Sequence, residues 1–381
     1  MSTSTERVSL GVIAREWLRL GVTGFGGPPA HIALLRKLCV EKNSWIEPSE
    51  FEDSIATTNL LPGPASTQLA IFCAWKLRGA RGALIGGVCF IAPGLLLIIA
   101  LAAVFLTKNP TDWILGAAGG AGAGVAVVAL NAAFQLLPGS WQRFTTSQRP
   151  RWFIYATLGG LCSIFFPAFV VLALLACGLT EVLIRSSDHR LGFMGPMALG
   201  HGAALTGLGA LSFVALKVGA LSYGGGFVII PLMQHDVVTA YHWMSSAQFL
   251  NAVALGQITP GPVVQTVAVV GYSVRGITGA LIAAFVAFAP SFIFVLVGAP
   301  RFERIRTNKN VTSFFAGAGT AVLGAIAGAA VPLTRALHHS WQIPLLAVMF
   351  AWMFLLRKGV VSGLLLCGSI GIALSFFGVS L

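Results

Sequence analysis

Apolar residues in this chain come in long runs separated by short polar loops. Six runs approach the roughly 20 residues that cross a bilayer as a helix: Ala83–Leu106, Trp113–Leu137, Ala168–Ile184, Ala280–Ala299, Phe314–Val331 and Val360–Phe377. Ahead of Arg78 the pattern changes. Two apolar stretches are interrupted in the middle, one at Gly26-Gly27-Pro28-Pro29 and one at Pro62-Gly63-Pro64, and neither half-stretch is long enough to span. They predict re-entrant hairpins or broken full crossings. The join at Ser186–Ser212 has the same ambiguity, so the pattern predicts about five crossings per half.

The interrupted stretches occur twice. Leu60-Leu61-Pro62-Gly63-Pro64 recurs as Ile258-Thr259-Pro260-Gly261-Pro262, and Phe25-Gly26-Gly27 as Tyr223-Gly224-Gly225, in each case 198 residues on. Trp45 and Trp243 keep that separation, as do Phe51 and Phe249. Further along, Arg78-Gly79 pairs with Arg275-Gly276 and Pro93 with Pro290, now 197 apart. The chain therefore reads as an all-α polytopic membrane protein of two homologous halves, residues 1–190 and 205–381. Loop charge suggests how the halves sit. Arg78, Arg81, Arg143, Arg149 and Arg151 flank two loops of the first half, and the loop between them, Thr107–Asp112, holds only Lys108. Its counterpart in the second half is crowded with Arg301, Arg304, Arg306 and Lys309. If cations stay inside, corresponding loops lie on opposite sides, which predicts inverted-topology repeats.

Composition agrees. Of 381 residues 56% are hydrophobic and 9% charged, against about 25% charged in a soluble domain, and mean hydropathy is +0.85. The polar opening MSTSTERVSLG lacks the order of a cleavable signal, so a multi-pass protein of the inner (plasma) membrane is expected, in contact with lipid. The net charge of +12 is scattered through short loops. That argues against a nucleic-acid partner and reads as positive-inside bias, with attraction of an anion as a secondary reading. The six cysteines form no CxxC pair, and neither a metal site nor a cofactor is expected. No GxxxxGK[ST] loop and no nucleophile–base pair stands out, so the chain does not read as an enzyme or an ATP-driven pump.

The breaks carry the chemistry. Irregular backbone at membrane depth is tolerated only where it is buried in protein or faces water. Pro-Gly-Pro stops a helix, and the helix that restarts beyond it offers free N–H groups and a positive dipole end, which suit an oxyanion. Polar side chains cluster there: Ser66, Thr67 and Gln68 after Gly63, and Gln257, Thr259, Gln265 and Thr266 around Gly261. Gly26-Gly27 and Tyr223-Gly224-Gly225 permit positive φ and a nest of N–H groups. A capped kink or close helix packing is the plain alternative for either break; two symmetric breaks favour a substrate site shared between halves. Arg19 and Lys217 stand at equivalent positions ahead of the glycine breaks and are counter-charge candidates, with snorkelling as the alternative. His31 follows the first glycine break as a further polar candidate. Asp236 and Glu181 are candidates to carry a coupling proton, Glu181 having an i,i+4 ion pair with Arg185 as its alternative role.

Gly24-Phe25-Gly26-Gly27-Pro28 with Ala30-His31, Leu60-Leu61-Pro62-Gly63-Pro64 with Ser66-Thr67-Gln68, Tyr223-Gly224-Gly225-Gly226, and Gly256-Gln257-Ile258-Thr259-Pro260-Gly261-Pro262 together resemble the chromate ion transporter (CHR) family in its long, two-domain form. The resemblance implies a secondary transporter that exports chromate from the cytoplasm and confers resistance, with sulfate as a competitor and an ion gradient, such as protons, as the drive. Two positions depart from the family pattern. Leu38 stands where an acid is frequent, at the position equivalent to Asp236, and Ala65 stands where Asn frequently follows the first Pro-Gly-Pro. Uptake of sulfate or another oxyanion, and a membrane-embedded enzyme without net transport, are the rival readings. Small-residue helix faces permit a homodimer.

Overall fold

The computed structural model describes residues 8–59, 61, 63–107, 109–185, 207–222, 227–299 and 307–377. These residues are helical, with no strand among them. The first half runs α1 (Leu10–Thr23), α2 (Pro28–Arg36) with a π-helical extension Lys37–Lys42, α3 (Pro48–Thr58), α4 (Ala65–Phe105), α5 (Asp112–Ala123), α6 (Val125–Trp141), α7 (Arg149–Phe165) and α8 (Val170–Arg185). The second runs α9 (Leu208–Leu221), α10 (Ile229–Gln234) with a π-helical extension His235–Ala240, α11 (Ser246–Ile258), α12 (Thr266–Gly298), α13 (Lys309–Arg335), α14 (Gln342–Phe350) and α15 (Val360–Phe376). Each of the six apolar runs falls on a helix.

The duplication reaches single dihedral angles. The π-helical extensions are 198 residues apart, and so are Ser44 (φ 48) and His242 (φ 51), two of the three described non-glycine residues with positive φ. Arg78-Gly79 (φ −146 and 59) is matched by Arg275-Gly276 (φ −148 and 59).

Those last residues are not a gentle kink. Across them Gly82 packs on Ala74, Gly87 on Ile71, and Gly279 on Gly271. Residues eight apart on a straight helix lie about 12 Å from each other, so α4 and α12 fold back on themselves. The first arm of α4, residues 65–77, is about 20 Å long, too short for a hydrocarbon core of about 30 Å. The second arm, 80–105, at about 39 Å is long enough.

Ion pairs and one long-range hydrogen bond show where the short elements begin and end. Lys76 pairs with Glu50 at the start of α3, Arg36 with Glu52, and Arg78 Nη1 donates to Val8 O at 3.3 Å just ahead of α1. The outer ends of α1, α2, α3 and the first arm of α4 therefore share one edge of the molecule, and the breaks at 24–27 and 61–64 are the tips of two hairpins pushed inward from it. The alternative between hairpins and broken crossings thus resolves to hairpins in the first half. By length and composition, five described helices can cross a membrane: Ala65–Phe105, Asp112–Trp141, Pro167–Arg185, Val263–Gly298 and Lys309–Arg335.

The halves interlock. Ala83 at the start of the second arm of α4 clusters with Val295 and Ala299 at the end of α12, so these two arms run antiparallel. Helix α5 packs on α15 through Gly116 on Gly371 and Gly120 on Cys367, and α13 packs on α8 and α7 through Gly317 on Cys177 and Gly159 on Ala321. Each half lends a small-residue helix to the other.

Candidate functional site

The inner ends of the hairpins meet. Gly261 N–H, at the tip of the second Pro-Gly-Pro loop, donates to Gly24 O at the first glycine break (2.9 Å). His31 joins the same point: its Nε2 lies 2.9 Å from Gly24 O and its Nδ1 3.1 Å from Ser66 Oγ, with the Phe90 ring edge-on at 5.1 Å. Positive φ at Gly26, Gly27, Gly63 and Gly261 (98, 73, 121 and 93) makes these sharp turns, which only glycine adopts cheaply.

Each Pro-Gly-Pro loop leans on the long helix of the opposite half. A side chain added at Gly63 would strike Gln68 and come within 3.3 Å of Ser291 Oγ on α12, and one at Gly94 on α4 would overlap Pro260 O and Gln265. Gly94 and Ser291 are 197 apart, so these are one contact made twice. Gln265 Nε2 donates to Ile91 O (3.1 Å), Thr266 Oγ1 to Val263 O (2.8 Å) and Thr259 Oγ1 to Leu255 O (2.9 Å). After the first loop, Thr67 N–H and Gln68 N–H both donate to Pro64 O, leaving Ala65 and Ser66 N–H as the open donor end of α4.

The polar side chains here are deeply buried. Ser66, Thr67, Gln68, Thr259, Gln265, Thr266, Ser222 and Ser291 are all 3% exposed or less, and Gln257 is 7%. Several carry atoms with no hydrogen-bond partner among the described residues: Thr67 Oγ1, Ser222 Oγ, Ser291 Oγ, Gln257 Nε2 and Gln265 Oε1. Four of these five can donate. An orphaned buried polar group costs about 1–3 kcal/mol, and native interiors rarely concentrate them without a ligand to receive them.

Comparison with known proteins agrees with this architecture. The family model described as "Chromate transporter" matches twice, over residues 12–182 and 209–373. The chain belongs to the chromate transporter family. It is 31% identical to the chromate transport protein of Cupriavidus metallidurans over 93% of this chain and 90% of that protein, and 28% identical to the chromate transport protein of Pseudomonas aeruginosa over 84% and 80%. An uncharacterized transporter of Bacillus subtilis is 30% identical over 82% of its own length but only 42% of this chain. No solved structure matches. With these relatives and its apolar helices, the chain is a multi-pass protein of the inner membrane.

In this chromate transporter none of the charged candidates bonds, among the described residues, to the buried donors without partners. Arg19 is exposed on α1 beside Leu18 and has no ion pair among the described residues. Lys217 pairs with Asp236, both only slightly exposed. Glu181 is fully buried; it pairs with Arg185 and Arg151 (3.5 Å) and accepts from Tyr155 O–H (3.0 Å). It ties α7 to α8. Tyr223, Gly224 and Gly225 lie outside the described residues. Ser222 and Ser291 escaped the sequence reading. The repeat register through Pro93 and Pro290 could have found Ser291 one position on. A cavity of about 140 Å³ between the end of α4, α5, α11 and α15 is lined almost wholly by Ala, Leu, Ile and Phe, which does not suit an oxyanion.

Proposed function

We propose that this chromate transporter carries chromate, a tetrahedral dianion, outward across the cytoplasmic membrane and so confers resistance. The observation that carries the reading is the set of buried donors with no partner among the described residues: Thr67 in the first turn of α4, Ser222 just past α9, Gln257 near the end of α11 and Ser291 within α12. Neutral O–H and N–H groups with helix N-termini hold an oxyanion without fixing it in an ion pair, which leaves it free to depart. Outward movement is favoured by a membrane potential negative inside, by about 4.6 kcal/mol per 100 mV for a dianion. Sulfate, of the same shape and charge, competes for the site. Set in a bilayer, the halves sit inverted, with the Arg143–Arg151 loop and the start of α13 on the cytoplasmic side. The antiparallel arms of α4 and α12 and the loop charges support this arrangement.

Labelled-oxyanion flux in proteoliposomes is the test. Chromate flux above that of protein-free vesicles, inhibited by sulfate, is expected. Flux of sulfate insensitive to chromate would favour the uptake reading, and no flux of either anion would sink transport altogether.

A further inference from the structure

We infer that His31 and Ser66 bind a proton that travels with the anion; the inference rests on the transport reading above. Gly24 O can only accept, so His31 Nε2 carries a hydrogen. In the neutral ring Nδ1 is then an acceptor, and the hydrogen in its 3.1 Å contact comes from the Ser66 hydroxyl. A proton added to Nδ1 reverses this bond. The ring N–H now donates to Ser66 Oγ, and the Ser66 hydrogen is released to turn toward another acceptor. No covalent bond other than the new N–H is made or broken. Ser66 stands in the opening turn of α4, next to the orphaned Thr67 Oγ1. Protonation thus gives the site one more O–H donor and one positive charge.

The second half supplies an independent observation. The positions equivalent to His31 and Ser66, 198 residues on, are Ile229 and Val264, both fully buried. Both partners are replaced together, by two apolar residues. Other charges do not set the ring's state. On α1, Glu16 pairs with Arg15 and Arg19 is exposed; on α2, Arg36 pairs with Glu52; on α4, Lys76 pairs with Glu50 and Arg78 bonds Val8 O, while Arg81 is exposed. None of them bonds the imidazole. A bound anion would be a charged neighbour of the protonated ring, and linkage is reciprocal: a proton on His31 tightens the anion, and the anion holds the proton. A dianion moving with one proton still carries net negative charge outward.

The test uses full-length protein in proteoliposomes with an internal pH dye and labelled chromate. Wild type should move protons in fixed ratio to chromate, with affinity rising on acidification. His31→Gln donates and accepts but cannot titrate. It should lose the acid-side gain in affinity, and in whatever flux remains the proton ratio should fall to that of chromate's own solution equilibrium. Ser66→Ala should lose the acid-side gain in affinity. If His31→Gln inserts poorly, the double variant His31→Ile/Ser66→Val, which copies the second half, gives the same reading. A wild-type proton ratio in either variant overturns the inference. So does a wild-type protein that moves chromate without coupled protons, which leaves the transport reading standing. Wild type that moves no oxyanion overturns both.

Discussion

At the scale of residues, a substrate group and a structural group respond oppositely to deletion. Ser291 Oγ has no partner among the described residues, so removing it is expected to release a desolvation cost rather than break a bond. Ser291→Ala is expected to leave thermal unfolding in detergent unchanged or slightly higher, while chromate affinity falls about tenfold, the worth of roughly one hydrogen bond to a charged group. Lower melting with unchanged affinity would make Ser291 a packing residue. Arg19 illustrates what a residue type alone leaves open. It matches Lys217 in register, but the acid that holds Lys217, Asp236, is Leu38 in the first half. Without that partner in reach, Arg19 faces outward, where its charge is solvated at lower cost.

At the scale of elements, the reversals decide what each apolar run does. Gly79, at φ 59 and ψ −149, occupies a backbone region open essentially to glycine alone, and a Cβ added there would meet nothing within 4 Å. Gly79→Ala therefore isolates backbone strain. It should cost about 1–3 kcal/mol of stability, seen as a lower melting temperature, and the matching Gly276→Ala should cost about the same. An unshifted melting temperature would mean that the arms of α4 do not turn there. The helices themselves were legible because apolar runs of this length have few other fates in lipid. The turn was legible only as a basic loop at Arg78 and Arg81, since a two-residue reversal leaves no polar stretch to mark it. The π-helical extensions have no sequence signature that periodicity detects, although their recurrence 198 residues apart shows that both halves encode them.

At the scale of the whole molecule, the arrangement makes a sidedness prediction. The Arg143 guanidinium donates to Phe315 O on α13 (3.2 Å), so the Arg143–Arg151 loop and the start of α13 share a side. Cysteines placed at Arg149 and Lys309 should be labelled from the cytoplasm, and one at Asp112 from outside; labelling of Arg149 and Lys309 from opposite sides would break the proposed inversion. The sequence by itself determined the membrane class, the duplication and the two pairs of breaks, because each is written in local composition or in register along the chain. It also named most of the buried polar residues around the hairpin tips. Only the tertiary structure decided that the first-half breaks are hairpin tips, that they meet through Gly24 and Gly261, and that Ser291 joins them while Arg19 does not. Those outcomes depend on antiparallel packing between halves and on helices exchanged across them. Such contacts join residues far apart in the chain, and no local pattern records which distant partner a side chain will meet.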